Sequence, residues 1–198
     1  QNTNFWEVME EWLCKAKYID FYGGEPLLIK RPWKYLEKNA IHGRSKNQEL
    51  QFNTNTTIPL TNSQLETLLQ FKKVKIALSI DGIEEQFEYL RYPGKWNTTL
   101  NNIDTYMEYS RKYTNIEVSF CNTVSIHNLW YVSEFDAFIK QRYGEDTRIW
   151  YNILFGPSCM RITNIPEDIK SAVKHKIISS STDPLVRSII DFMEMEQY

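Results

Sequence analysis

The chain has 198 residues, a length that fits one domain or one and a half. Its 23 Lys and Arg nearly balance 25 Asp and Glu, and the resulting net charge of −2 excludes the strongly basic surface of a dedicated nucleic-acid binder. With 42% hydrophobic residues the chain can build a core, unlike a disordered polypeptide, and it has no apolar run of the roughly 18 residues that a membrane-spanning helix needs.

Helix and strand patterns alternate from the start. Phe5, Val8, Met9, Trp12 and Leu13 recur at helical spacing. A short apolar strand, Tyr18 to Tyr22, is stopped by Gly23-Gly24. Pro32 is suited to open a helix carrying Trp33, Leu36 and Ile41. Leu50 to Asn55 reads as a strand, and Thr61-Asn62-Ser63 lead into a helix with Leu65, Leu68, Leu69 and Phe71. In Val74 to Ile80, Val74, Ile76 and Leu78 alternate with Lys75, Ala77 and Ser79, the period of a strand, and Asp81-Gly82 punctuates it. A polar helix from Glu84 to Arg91 and a Tyr92-Pro93-Gly94-Lys95 loop follow. A longer helix covers Asn97 to Lys112, then a strand Ile116 to Val124, a helix Val132 to Tyr143 and a strand Arg148 to Leu154. Pro166 to Ile178 and Pro184 to Met195 read as terminal helices.

Such alternation predicts an α/β fold with a parallel sheet and right-handed crossovers. The pattern opens on a helix, and a helix ahead of the first strand implies an earlier strand. The expected architecture is therefore a barrel-like or open α/β fold lacking its first strand. Ligands of such folds sit outside the C-terminal strand ends. Those ends carry Gly23-Gly24-Glu25-Pro26, Asn53-Thr54-Asn55, Ser79-Ile80-Asp81-Gly82, Asn122-Thr123 and Asn152. All five are small or polar, which favours a polar ligand. Paired glycines allow positive φ and close backbone approach, Glu25 offers an acceptor to a cationic group, and Pro26 fixes the chain's exit. An ordinary strand-to-helix turn with a solvated glutamate fits the same tetrapeptide.

Gly23-Gly24-Glu25-Pro26 resembles the GGEP motif of radical S-adenosylmethionine (radical SAM) enzymes. Asn53-Thr54-Asn55 falls where that family often shows Thr-Asn-Gly, and Ser79-Ile80-Asp81-Gly82 resembles its SxDG strand end. Arg91 lies in the helix that follows. The resemblance implies that Gly23, Gly24, Glu25 and Pro26 hold the amino group of S-adenosylmethionine. It implies that Ser79 bonds the cofactor's ribose or carboxylate and that Arg91 pairs with the carboxylate, with Asn53 and Asn55 as further cofactor-binding positions. A turn-capping Ser79 and a surface Arg91 are the plainer alternatives. Cys121-Asn122-Thr123-Val124-Ser125 with Asn128, and the run Ile165 to Lys170, resemble the branch that carries a SPASM or twitch extension.

The family's CxxxCxxC motif, whose thiolates hold a 4Fe–4S cluster, is not in this sequence. Cys14, Cys121 and Cys159 are far apart, as are His42, His127 and His175, so a metal site built from this chain alone is not expected. No signal-peptide pattern opens the sequence, and a reducing, cytoplasmic setting is the default. Two explanations fit: a fragment beginning after the cluster loop, or a cluster-less relative.

The fragment reading gives a partial (β/α)6 TIM-barrel-like radical SAM core over residues 1–160 and a C-terminal helical extension over 161–198. The function it implies is reductive cleavage of S-adenosylmethionine to a 5′-deoxyadenosyl radical that takes hydrogen from a substrate, possible substrates including peptides. The fragment alone is expected to be inactive, its cluster ligands lying outside the chain. The alternative is a cluster-less α/β module binding a nucleoside or peptide without catalysis. A hydrolase or isomerase using Glu25 and Asp81 as an acid–base pair is a third reading.

Overall fold

Alternation of apolar and polar residues sets the strands, and the amphipathic segments between them become the covering helices. The computed structural model describes residues 3–195. Five strands form one sheet in the order β1 (Tyr18–Phe21), β2 (Glu49–Thr54), β3 (Lys73–Ser79), β4 (Ile116–Val124) and β5 (Ile149–Ile153). The pairings β1–β2, β2–β3 and β4–β5 are parallel. Spatial order equals chain order, so every crossover steps the same way.

The chain divides into two units, Gln1–Leu78 with Thr99–Ser119, and Ser79–Thr98 with Phe120–Tyr198. In the first, α1 (Thr3–Lys15), α2 (Lys30–Ile41) and α3 (Asn62–Leu68) alternate with the strands. Most of α5 (Trp96–Lys112) also belongs here. Burial along β2 and β3 alternates strictly, with Leu50, Phe52, Val74, Ile76 and Leu78 at most 2% exposed. Phe52 lies between Phe21 and Trp33, with ring centroids 4.7 and 5.7 Å away. Burying one such ring is worth roughly 1.5–3 kcal/mol. Two buried amides close the end of α1. Gln48 Nε2 donates to the Leu13 and Ala16 carbonyls at 2.7 and 2.8 Å, and Asn39 Nδ2 donates to Gln48 Oε1 at 3.0 Å. These bonds satisfy carbonyls that a helix C-terminus leaves unpaired.

The second unit holds α4 (Glu84–Leu90), α6 (Val132–Tyr143), α7 (Glu167–Ser180) and α8 (Pro184–Met193). Its core gathers Val124, Val132, Ile162, Ile177, Val186 and Met193, with Tyr151 and Ile153 packed on it. Lys140 bridges Asp136 on its own helix and Asp183 at the start of α8. The Asp183 carboxylate also caps α8, accepting from the N–H groups of Leu185 and Val186. Tyr151 donates to Asp136 Oδ1 at 2.9 Å. Burial, then the Asp136 charge and bond, push the Tyr151 phenol far above its ordinary range.

The expected elements are all present, with shifted ends. β4 and α6 have the predicted bounds, whereas β2 and β3 begin one residue early, at Glu49 and Lys73. The helix expected to open at Pro32 begins at Lys30, so Pro32 is its third residue, still within the turn whose N–H groups lack intrahelical partners. The final helix stops at Met193. The side chain of Phe5, assigned to the first helix, and the last three residues of the 161–198 segment lie outside the described residues. Residues 161–195 are part of the second unit, together with β5 and α6. Among the described residues no helix is long and apolar enough to cross a membrane.

Candidate functional site

The predicted binding residues fall into two groups, one in each unit. In the first unit, Gly23 and Gly24 follow β1 with φ of 86° and 58°, a conformation that favours residues without a Cβ. Glu25 comes next and caps a short 3-10 turn, Pro26–Leu28, with Pro26 buried at its first position. The Glu25 carboxylate is a clamp. Its Oε1 accepts from Leu27 N–H at 3.2 Å, and its Oε2 accepts from Thr54 Oγ1 and Asn55 N–H, both at 2.9 Å. One side chain therefore fixes the turn after β1 to the end of β2. An ionised carboxylate has about four acceptor sites, so three bonds leave room for one more donor.

The loop after β2 is itself anchored. Thr56 is fully buried at φ 64°, unusual for a β-branched residue; its N–H donates to Thr54 Oγ1 and its carbonyl accepts from Asn102 Nδ2. Thr56 thus takes the conformation that suits glycine. Asn55 joins the clamp through its backbone N–H, while its side chain accepts from Thr57 N–H and Oγ1. Asn53 stands half-buried on the other face of β2, away from the clamp.

In the second unit, Arg91 ends α4 and turns back to the end of β3. Its Nε and Nη2 donate to Asp81 Oδ2 at 2.9 and 2.6 Å, and its Nη2 donates to Ser79 Oγ at 2.9 Å. Asp81 Oδ1 accepts from Thr123 N–H at 2.9 Å, which ties β4 into the group. The pair is partly buried, with 28% of the Arg91 side chain and 17% of the Asp81 side chain exposed. Arg91 Nη1 bonds none of the described residues, and Ser79 Oγ, used as an acceptor, keeps a proton to donate. A guanidinium and a hydroxyl held this way suit a carboxylate or a sugar hydroxyl. Asn128 secures the same corner. Its Nδ2 donates to the Asp81 and Thr123 carbonyls at 2.8 and 3.0 Å, and its Oδ1 accepts from Ser125 N–H at 2.8 Å.

All eight predicted positions are accounted for: Gly23, Gly24, Glu25, Pro26 and Asn55 share one turn system with Asn53 apart from it, and Ser79 and Arg91 are bonded directly. Sequence reasoning missed Thr54 and Thr56, and it cast Asp81 as turn chemistry or as half of an acid–base pair. Asp81 is Arg91's counter-ion, and both its oxygens, like both of Glu25's, are taken by fixed donors. The opposite charge at positions 81 and 91, bracketing one short helix, was the available signal.

The thiols stand apart from one another. Cys14 accepts from Arg44 Nη1, Cys121 from Asn152 Nδ2, and Cys159 is exposed. Burial, then the Asp81 charge, push the Cys121 thiol up despite Arg91 and Asn152. Among the described residues no three His, Cys, Asp or Glu side chains gather as metal ligands. The described thiols therefore do not fit an iron–sulfur cluster.

No protein-family model matches the sequence, and no curated protein does. Solved structures do match. A structure of anSMEcpe with bound AdoMet superposes with a TM-score of 0.63 at 16% identity, over 90% of this chain and 51% of that one. Native anSMEcpe with bound AdoMet and a Cp18Cys peptide gives 0.60 at 18% identity, over 90% and 51%. SuiB of Streptococcus suis bound to S-adenosylmethionine gives 0.56 at 13% identity, over 88% and 41%. The chain thus shares their fold and spans about half the length of the anSMEcpe chains.

Proposed function

We propose that this chain is the S-adenosylmethionine-binding part of a radical SAM enzyme, a partial (β/α) barrel whose 4Fe–4S cluster is held by residues outside it. The observation that carries this reading is the Arg91–Ser79 bond at 2.9 Å, which leaves Arg91 Nη1 and the Ser79 proton for an incoming carboxylate and hydroxyl. Each group, taken by itself, has chemistry that suits one part of the cofactor. The Gly23–Glu25 turn, in the first unit, offers carbonyls and one acceptor position on Glu25 to an ammonium; Ser79 and Arg91, in the second, suit a carboxylate and a ribose hydroxyl. Two of the matching structures, in different proteins, carry this cofactor, and one carries a peptide as well. A peptide substrate, a twitch- or SPASM-type extension beginning with α7 and α8, and action in the cytoplasm belong to the same proposal. When bound, the cluster would supply the electron that cleaves the cofactor to a carbon radical; the residues of this chain bind and orient the cofactor.

Calorimetric titration of the 198-residue chain with S-adenosylmethionine tests the reading. Binding that falls at least tenfold in R91A is expected. No heat with the native chain, or equal affinity in R91A, overturns it.

A further inference from the structure

The net charge of −2 hides an uneven distribution. Residues 30–46 carry six Lys and Arg against one Glu, a net +5, so the other 181 residues hold −7. This stretch is α2 and most of the 3-10 turn after it, Arg44–Asn47, all in the first unit. One face of α2 buries Trp33, Leu36 and Asn39. At about 100° per residue, Lys30, Arg31, Lys34 and Lys38 fall within about 100° of arc on the opposite side. All four are exposed, and exposed Arg44 and Lys46 carry the charge past the helix end. Lys38 pairs with Glu10 and Arg44 donates to Cys14, whereas Lys30, Lys34 and Lys46 form no ion pair with a described residue.

The start of the helix gains nothing from this arrangement. Lys30 and Arg31 sit in the first turn, at the positive end of the macrodipole, with no acidic residue there to offset them. Lys30 and Lys34, and Lys34 and Lys38, are like charges one turn apart, which repel. Local stability is given up for a positive stripe about 18 Å long, and rules broken in this way mark surfaces used for something else.

Apolar side chains stand at both ends of the stripe. Leu28 and Ile29, 65% and 47% exposed, precede α2, and Ile41, its last residue, is 83% exposed. A phosphate backbone rewards the cations alone, and exposed Glu37 at the stripe's margin would repel it. An acidic protein face satisfies both features: its carboxylates meet the cations, and its apolar side chains cover Leu28, Ile29 and Ile41. A face of this length lies at the small end of protein interfaces, which suits a transient complex.

We propose that the outer face of α2, with Leu28, Ile29, Arg44 and Lys46, docks an acidic face of a partner protein. The inference does not depend on the cofactor reading above.

The probe is a fluorescein-labelled helical peptide with glutamates along one face and leucines at both ends, titrated with the 198-residue chain and read by anisotropy. The peptide should bind, more weakly as salt rises. Its affinity should fall at least about tenfold in K30E/K34E, and fall in I41S, with urea midpoints no lower than that of the native chain. No binding by the native chain, or equal binding by either variant, overturns the proposal. Tighter binding of a short DNA duplex than of the peptide overturns it in favour of nucleic acid. Self-association of the native chain in sedimentation, lost in K30E/K34E, overturns it in favour of a second copy. Should K30E/K34E not fold, K34Q decides alone: weaker binding supports the proposal and unchanged binding overturns it.

Discussion

Replacing Glu25 by Gln isolates the clamp between the ends of β1 and β2, because it keeps the side chain's shape and removes one acceptor. The native carboxylate accepts three bonds, from Leu27 N–H, Thr54 Oγ1 and Asn55 N–H. Two of these donors are backbone amides that cannot accept. A glutamine has one carbonyl oxygen and one amino group, so in either orientation its amino group faces one of the two backbone N–H groups. Thr54 can rotate its hydroxyl; Leu27 and Asn55 have no such freedom. An orphaned buried donor costs about 1–3 kcal/mol. The site is only partly buried, so the lower half applies, and loss of charge assistance on the remaining bonds adds a fraction more. E25Q should therefore destabilise the chain by ~2 kcal/mol. In urea, with a slope of roughly 2 kcal/mol/M, the midpoint should move down by about 1 M at unchanged slope. Thr54→Val removes one of the same bonds, so the double variant should cost less than the sum of the singles by at least ~0.5 kcal/mol. A midpoint for E25Q within ~0.2 M of the native chain, or strict additivity with T54V, would refute the clamp and leave Glu25 as a solvated turn residue.

Other outcomes rest on single contacts. Asn128→Ala removes a 3% exposed side chain that serves three backbone groups, and it should cost ~3 kcal/mol by the same denaturation assay. Gly94→Ala would put a Cβ 2.8 Å from the Arg91 carbonyl and 3.2 Å from the Phe87 ring; it should cost ~1–2 kcal/mol and weaken S-adenosylmethionine binding by shifting Arg91. Burial raises the Asp183 carboxyl, but the Lys140 bond and the N–H groups of Val186 and Leu185 outweigh it, so its pKa is lowered. Its stabilisation is thus present above the ordinary carboxylate value of ~3.9 and is lost as pH falls below it. Thermal melts of the native chain should lose stability in that window, and Asp183→Asn should flatten that part of the profile.

The sequence carried the order of elements because apolar spacing is a local property. Val74, Ile76 and Leu78 announce their strand without help, and β4 and α6 end where their apolar patterns end. The early starts of β2 and β3 were not readable, because Glu49 and Lys73 become strand residues through partners: Glu49 aligns with Lys73 across the ladder and pairs with Lys72, and Lys73 pairs with Glu117. The turn at Pro26–Leu28 was invisible for a similar reason, being capped by a side chain whose other bonds reach 29 and 30 residues away. At the candidate site, residue types were legible and their connections were not. Glu25 was read as an open acceptor and is mostly occupied; Arg91 was read as waiting for a carboxylate and already has Asp81.

The sequential strand order has a consequence for how the chain reaches this state. Each strand pairs with strands adjacent in sequence, so no pairing waits for a distant segment. The sheet can be laid down one βα step at a time as the polypeptide leaves the ribosome, each step using an edge the previous one has prepared. A strand that arrives late delays only its successors, and the strands already paired stay paired.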